Sequence, residues 1–249
     1  MEKFFPAACL LVIVILLRVN RGMFAIDPHV HSFFSADAAN DPRDLIDAAR
    51  RRGLNGLVIT DHDSCRAYAY CVEKGLARRD GLPVADFLVV PGVEVSSADG
   101  HILCIGASLP PMIGAPAEIV CAAIRDAGGE PVPAHPFDNW RSGLGAARLD
   151  ALDLRAIEVF NAAVSSRKFN DRALAYAEAH SLAGTAGSDA HHASAVGVSR
   201  TLFDLPTLNV AEIVAALREG RVTAEGRYLS KAEALKKHLG NLFRTKHID

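Results

Sequence analysis

The chain has 249 residues and a formal net charge of −2, and half of its residues are hydrophobic. That length accommodates one large α/β domain or two small ones with a substantial core, and the composition is that of an ordered globular protein. The near-neutral charge excludes an overall basic surface for duplex nucleic acid. The five cysteines include no C-x-x-C pair, which argues against a disulfide framework and against a thiolate zinc site.

The first 22 residues differ in composition from the rest of the chain. An apolar run over residues 4–17 precedes Arg18 and Arg21, and it is short for a bilayer span, which needs about 20 residues. One interpretation is a membrane anchor, which would leave the rest of the chain in the cytoplasm because the basic residues follow the run. The other is a non-native extension upstream of a start at Met23. A cleaved signal peptide is a third alternative, but no small-x-small site follows promptly.

From residue 23 onward, short strand-like runs alternate with helical ones. In chain order, the predicted strands are FAIDPHVH, GLVITDHD, FLVVPGVEVSS, HILCIG, PVPAHP, AIEVFNA and AGTAGSDAHH. The predicted helices are DPRDLIDAARRRG, residues 65–79, AEIVCAAIRDAGG, SRKFNDRALAYAEAHS and residues 209–220. Asp41 is the expected N-cap of the first helix. Repeated strand–helix units predict a parallel sheet or barrel over residues 23–225, followed by a basic tail at 226–249.

Polar side chains, most of them titratable, collect where these strands end. They are His29, His31, Asp61, His62, Asp63, Glu94, His101, His135, Glu158, Asn161, Asp189 and His191. The carboxyl ends of parallel strands meet at one face, so these residues are expected to converge. Because residues two apart on a strand share a face, His29 and His31 can reach one ion. Burying so many ionisable groups without an ion would cost several kcal/mol, so the pattern predicts a metal site.

Seven motifs in order along the chain resemble the polymerase-and-histidinol-phosphatase (PHP) domain family: DPHVHSFFSAD, ITDHD, VVPGVEVSS, HILCIG, PVPAHP, IEVFN and GSDAH. The resemblance covers about residues 24–221. It implies a distorted (β/α)7 barrel with a metal cluster, commonly of three ions, at the C-terminal face of the strands. It also implies nine metal ligands: His29, His31, Asp37, His62, Glu94, His101, His135, Asp189 and His191.

The family pattern further implies how these ligands share the ions. The first ion would take His29, His31, Glu94 and Asp189. Glu94 would bridge to a second ion, held also by His101 and His135. The third ion would take Asp37, His62 and His191. Nitrogen and oxygen ligands without thiolate allow two or three divalent ions of Mn, Zn or Fe.

The activity that the resemblance implies is hydrolysis of a phosphate ester by a metal-bound water, held between the two ions that share Glu94. The expected substrate is a small phosphorylated metabolite, a nucleotide or a short oligonucleotide. An amide-cleaving metallohydrolase and a non-catalytic metal-binding module are the alternatives. The sequence does not indicate the oligomeric state, and membrane contact is expected only through residues 4–17.

Other polar residues near these motifs receive supporting roles. Asp61 and Asp63 are expected to orient His62 or its strand rather than to bind metal. Arg141 is the first candidate for holding the substrate phosphate, with Arg167 as its rival, since a planar guanidinium suits that task. In the same loop as Arg141, Trp140 is predicted to cap the fold, with stacking on a base as the alternative.

Overall fold

The computed structural model describes residues 21–230. Its strands are β1 (Gly22–Val30), β2 (Gly56–Ile59), β3 (Leu88–Val90), β4 (Gly92–Ser96), β5 (His101–Ile105), β6 (Glu130–Pro133), β7 (Ala156–Asn161), β8 (Ala183–Gly187), β9 (Ser199–Leu205) and β10 (Val222–Gly226). Its helices are α1 (Pro42–Arg51), α2 (Arg66–Glu73), α3 (Ala117–Asp126), α4 (Ala146–Leu149), α5 (Arg167–His180) and α6 (Val210–Glu219). Single 3-10 turns cover Asn139–Arg141 and Ala193–Ala195.

Two of the sequence-based interpretations fall on segments that the structure does not describe. The apolar run over residues 4–17 and nearly all of the basic tail, from residue 231 onward, lie outside the described residues. Between residues 21 and 230, none of the helices has both the length and the apolar character needed to cross a membrane.

The described strands pair as three sheets, and together with the helices they form a mixed α/β fold. The sheets have the orders β10-β9-β1-β2-β3, β4-β5-β6 and β7-β8. The pairs β1–β2, β2–β3 and β7–β8 are parallel, and the other pairs are antiparallel. Isolated bridges join Val30 to Ala190 and His62 to Glu94. The mixed α/β class is confirmed, whereas the pairings between described strands do not establish a closed (β/α)7 barrel.

The prediction of parallel strands is wrong for β5, which pairs antiparallel with both β4 and β6, and the connection from β4 explains why. Only residues 97–100 connect β4 to β5, which is too short for a parallel crossover but suits a hairpin. The amide of Gly100 donates to Oγ of Ser97 at 3.1 Å, and the backbone of Gly100 has a φ of +149°. A Cβ at Gly100 would lie 2.6 Å from the carbonyl oxygen of Ser142, so the turn requires glycine.

The break between the first two sheets falls at a proline. Pro91 separates β3 from β4 and has no amide hydrogen to continue a ladder. Its carbonyl still accepts a hydrogen bond from the amide of Gly106 at 2.8 Å, on the side of β5. The chain therefore leaves one sheet and enters the next within a single residue, which brings β4 beside the end of β2.

Helix α1 begins as the sequence predicts. The carboxylate of Asp41 accepts from the amide of Arg43 at 2.8 Å, and Pro42 occupies the first turn, where its missing N–H is not needed. The apolar face of the helix buries Leu45 and Ala49 in a core that includes Leu57 of β2. This packing helps to set the register of β2 against β1. The register in turn positions the polar residues that follow each strand.

Asp27 joins β1 to the segments after β8 and does not face the site. Its carboxylate accepts from the amide of Ser188 at 3.0 Å, from Oγ of Ser188 at 2.5 Å and from the amide of Gly197 at 2.7 Å. Burial raises the pKa of Asp27 to about 6, and these hydrogen bonds oppose the increase. The contacts align the ends of β1 and β8, where predicted ligands are found on both strands.

Candidate metal centre

The structure brings the nine predicted ligands together at one end of the strands. Each lies in a strand or in a loop that follows one: His29 in β1, His31 and Asp37 after it, His62 after β2, Glu94 in β4, His101 at the start of β5, His135 after β6, and Asp189 and His191 after β8. His101 sits at the start of its strand because β5 runs antiparallel to β4. The start of one strand and the end of its neighbour therefore lie at the same edge.

Glu94 lies at the centre of the cluster and is buried. Its Oε2 is 3.1 Å from Nε2 of His29 and 3.2 Å from Nε2 of His31. Its Oε1 is 2.8 Å from Nδ1 of His101 and 3.2 Å from Nε2 of His135. Burial opposes the charge, but the surrounding imidazoles hold the pKa of Glu94 well below its usual range. Nδ1 of His62 lies 3.5 Å from Oε2 as well. The two carboxylate oxygens therefore face separate groups of histidines, which is the arrangement that a bridging carboxylate needs.

A second group of side chains forms on the other side of His31. Oδ2 of Asp37 accepts from Nε2 of His191 at 2.8 Å and lies 3.6 Å from Nε2 of His62. The ring of His31 is 4.8 Å from that of His62 and 4.3 Å from that of His191, measured between centroids. Although burial acts in the opposite direction, His191 and His62 hold the pKa of Asp37 far below its ordinary value. Asp37 is therefore an anion facing two imidazoles.

The donor set fits divalent metal ions. Three groups have ligand atoms within 4.8 Å of one another: His31, Asp37, His62 and His191; His29, His31 and Glu94; and His62, Glu94 and His101. In the described part of the chain, the buried Nε2 of His31 makes no hydrogen bond of good geometry, although Oε2 of Glu94 is 3.2 Å away. A buried nitrogen of this kind is costly unless something binds it. Imidazole and carboxylate ligands without thiolate suit Zn, Mn or Fe.

Glu158 supports the cluster from β7, a role that the sequence interpretation did not assign. Its Oε1 accepts from Nδ1 of His29 at 3.0 Å, and its Oε2 accepts from the amide of His135 at 2.7 Å. Oε2 also accepts from Nδ2 of Asn161 at 3.0 Å. The one signal in the sequence is that Glu158 and Asn161 lie late in a strand whose neighbours carry ligands.

Arg141 enters the cluster from the loop after β6. Its Nη1 pairs with Oδ2 of Asp189 at 2.5 Å and lies 3.4 Å from Oδ1 of Asn161. Burial opposes the guanidinium charge, but Asp189 raises the pKa of Arg141 above its ordinary value. The rival candidate, Arg167, stacks its guanidinium over the ring of Tyr228 at 4.5 Å from the centroid. Of the two, Arg141 is the one that contacts a predicted ligand.

The two predicted supporting aspartates hold backbone segments. Asp61 accepts from the amide of Ser32 at 2.6 Å and from Oγ of Ser32 at 2.7 Å, so it fixes the loop after β1 rather than the ring of His62. Asp63 has a φ of +54° and accepts from the amide of Ser96 at 2.8 Å, which ties the end of β2 to β4. Both contacts link strands whose polar residues enter the cluster.

The prediction that Trp140 caps the fold is wrong. Its side chain is 85% exposed. The preceding Asp138 is fully buried and accepts from the amide of Trp140 at 3.2 Å. The loop is therefore anchored through Asp138, and the indole is left in solvent.

A mixed α/β fold with histidines and carboxylates gathered at its strand ends defines a class of metal-dependent hydrolases. Residues 27–136 match the PHP domain, and residues 167–222 match the PHP-associated region. The chain therefore contains a PHP domain and a PHP-associated region, which confirms the resemblance drawn from the seven motifs.

A curated relative and several solved structures are similar to this chain. Uncharacterized protein MJ1587 of Methanocaldococcus jannaschii is 28% identical over 146 residues, which cover 55% of this chain and 81% of the relative. PsfC from Pseudomonas syringae PB-5123 has a TM-score of 0.69 and 22% identity, over 89% of this chain and 98% of that chain. A two-domain protein from Bacteroides vulgatus, with a predicted PHP-like metal-dependent phosphoesterase, has a TM-score of 0.68 and 19% identity, over 89% of this chain and 70% of that chain.

Endonuclease Q from Pyrococcus furiosus, a lesion-specific endonuclease, has a TM-score of 0.65 and 20% identity. The similarity covers 82% of this chain and 58% of that one. At these identities the solved structures show a common fold and leave the substrate of this chain open.

Proposed function

We propose that this protein is a metal-dependent phosphoesterase that hydrolyses a phosphate ester of a small metabolite, a nucleotide or a short oligonucleotide. The observation that carries the proposal is the placement of Glu94, whose two oxygens face separate groups of histidines while Arg141 reaches the same cluster. The match of residues 27–136 to the PHP domain supports the same activity.

The distances support a division of the ligands among two or three ions. His29, His31, Glu94 and Asp189 would hold the first; Glu94, His101 and His135 the second; and Asp37, His62 and His191 the third. When bound, divalent ions supply a water of lowered pKa and Lewis acidity toward phosphoryl oxygens. Mn, Zn and Fe all suit the donors.

The cluster is unevenly exposed, which indicates where a substrate would enter. The side chains of Asp37, His62 and His101 are 40%, 24% and 19% exposed, whereas those of His29 and His31 are fully buried. A phosphate would therefore approach over the three exposed residues, and the buried histidines would hold the far side of the site.

Arg141 would bind the phosphate as it arrives. A guanidinium offers a planar set of donors that matches phosphoryl oxygens, and its charge persists at every working pH. Asn161 positions it, since its Oδ1 lies 3.4 Å from Nη1 of Arg141 while its Nδ2 donates to Asp189 at 3.1 Å. In the proposed reaction, this arginine would neutralise charge on the phosphate without taking or giving a proton.

The test combines metal analysis with a substrate screen. Purified protein should contain divalent metal, and it should hydrolyse p-nitrophenyl phosphate in preference to amide substrates. Phosphate diesters and short oligonucleotides form further arms of the screen. A chelator should abolish activity, and added Mn or Zn should restore it.

Two histidine variants form a matched pair for this test. His29→Ala should reduce hydrolysis by orders of magnitude, whereas His180→Ala, at an exposed position on α5, should leave it unchanged. Absence of bound metal, or unchanged hydrolysis by His29→Ala, would refute the proposal. A clear preference for amides would replace it with the amide-cleaving alternative.

A further inference from the structure

Trp140 is the only tryptophan in the chain, and its indole is 85% exposed. Among the described residues with exposed large hydrophobic side chains, it is the most exposed, ahead of Ile113 at 69%. An indole is a large apolar surface that proteins usually bury against a neighbour or present to a ligand.

The loop that carries Trp140 begins and ends at the candidate metal centre. It leaves from His135, and the carbonyl of Ser142 accepts from the amide of His101 at 2.9 Å. Trp140 shares a single 3-10 turn with Arg141, whose guanidinium contacts Asp189. Successive side chains of a 3-10 turn point about 120° apart. Arg141 points inward to Asp189, so the indole of Trp140 points in a different direction, into solvent, from the residue next to that guanidinium.

The backbone of this loop is held by its own hydrogen bonds. Asp138 accepts from the amide of Trp140 at 3.2 Å and from the amide of Ser165 at 2.7 Å. Its own amide donates to the carbonyl of His135 at 2.9 Å, and its carbonyl accepts from Gly143 at 3.0 Å. Because the backbone is already ordered, a ligand that covers the ring restricts only the two torsions of the Trp140 side chain.

We propose that Trp140 selects phosphate esters that carry a flat aromatic group, chemically a nucleobase, by stacking on its face while Arg141 holds the phosphate. This inference rests on the proposed phosphoesterase function and narrows its substrate class. Each base presents a π-face to an aromatic side chain, whereas a sugar phosphate offers none. Trp140 would thus contact the base of a small molecule while the adjacent Arg141 binds its phosphate.

A kinetic comparison tests the selection. The substrates are adenosine 5′-phosphate, adenosine 3′-phosphate and ribose 5-phosphate, which lacks the base. Trp140→Ala should raise KM for the better adenosine phosphate by about tenfold, the effect expected from one lost stacking contact. The same substitution should leave kcat and KM for ribose 5-phosphate unchanged. Trp140→Phe should retain most of the affinity, and Leu174→Ala, at an exposed apolar position on α5, should change nothing.

Fluorescence gives a second readout that does not need turnover. Trp140 is the single tryptophan of the chain, so indole emission reports on its ring alone. In zinc-loaded protein, an unhydrolysable adenosine phosphonate should quench the emission, and ribose 5-phosphonate should not. Equal effects of Trp140→Ala on all substrates, or no quenching by the adenosine compound, would overturn the stacking proposal. Failure of the unaltered protein to hydrolyse any phosphate ester would instead refute the phosphoesterase function, and quenching would still report on the ring contact.

Discussion

Glu158 accepts a hydrogen bond from Nδ1 of His29 at 3.0 Å, while Nε2 of the same ring lies 3.1 Å from Glu94. A proton on Nδ1 leaves the lone pair of Nε2 directed at the centre of the cluster, which is the tautomer that a metal ligand requires. The same carboxylate holds the amide of His135. One buried side chain therefore orients two candidate ligands from strands that are distant in sequence.

Removal of this carboxylate should weaken metal binding without removing a ligand. We expect Glu158→Ala to lower the affinity for Zn by about 10- to 100-fold, as measured by competition with a chromophoric chelator. The matched control is Glu178→Ala, an exposed glutamate on α5. A Glu158→Ala protein that is folded by circular dichroism and binds Zn normally would contradict this role.

The metal-free protein should lose stability as the pH rises from 6.5 to 9. Burial of His31 lowers its pKa, but Asp189 and Glu94 outweigh that effect and raise the pKa from 6.5 to about 9. Because the folded state holds the proton more tightly than the unfolded state, the stabilisation is complete below pH 6.5 and is lost as the pH passes 9. It amounts to about 3 kcal/mol at most.

Thermal unfolding of chelator-treated protein across this pH range measures the effect of His31. Tm should fall toward pH 9, and the His31→Gln variant should show a smaller decline. In metal-loaded protein, His31 should not contribute to a fall in Tm, because a bound ion would take the place of its proton. A Tm that rises over this range in the metal-free protein would show that His31 is neutral.

Asp27→Asn should destabilise the fold although it preserves size. An amide would turn one acceptor into a donor where the amide of Gly197 and the amide and hydroxyl of Ser188 all donate. The free energy of unfolding should drop by about 1–3 kcal/mol, the cost of leaving buried groups unpaired. Denaturant unfolding measures it, with the exposed Asp47→Asn on α1 as the control. Stability above that of the unaltered protein would mean that the cost of burying the charge exceeds the value of these hydrogen bonds.

The buried cysteines should resist alkylation in the native protein. They are free thiols, as the sequence predicts for the described cysteines. Burial raises the pKa of Cys71 and of Cys104 to about 12 and that of Cys121 to about 11, so little thiolate forms at pH 8. Iodoacetamide followed by peptide mapping should label all three only after unfolding, and Cys65, which is partly exposed, should react first. Rapid native labelling of Cys104 would contradict its burial.

Much of the candidate site could be predicted because its residues follow a local rule. The His29 and His31 pair lies on one face of a strand by virtue of its spacing alone, and the polar residues at successive strand ends indicate a common edge. The cap at Asp41 is equally local, and the structure confirms it. The direction of β5 was mispredicted because the repeated strand–helix pattern was extended across residues 97–100, a connection too short for a parallel crossover.

The sequence by itself determined which residue types converge and that their chemistry suits a divalent metal, because strand periodicity and residue chemistry are properties of short segments. Only the tertiary structure decided that Glu158 supports His29, that Arg141 rather than Arg167 reaches the cluster, and that Trp140 is exposed. These features depend on contacts between distant segments: Glu158 and His29 are 129 residues apart. Such contacts form only when the packing of the sheets brings their strands together, and no local pattern specifies them.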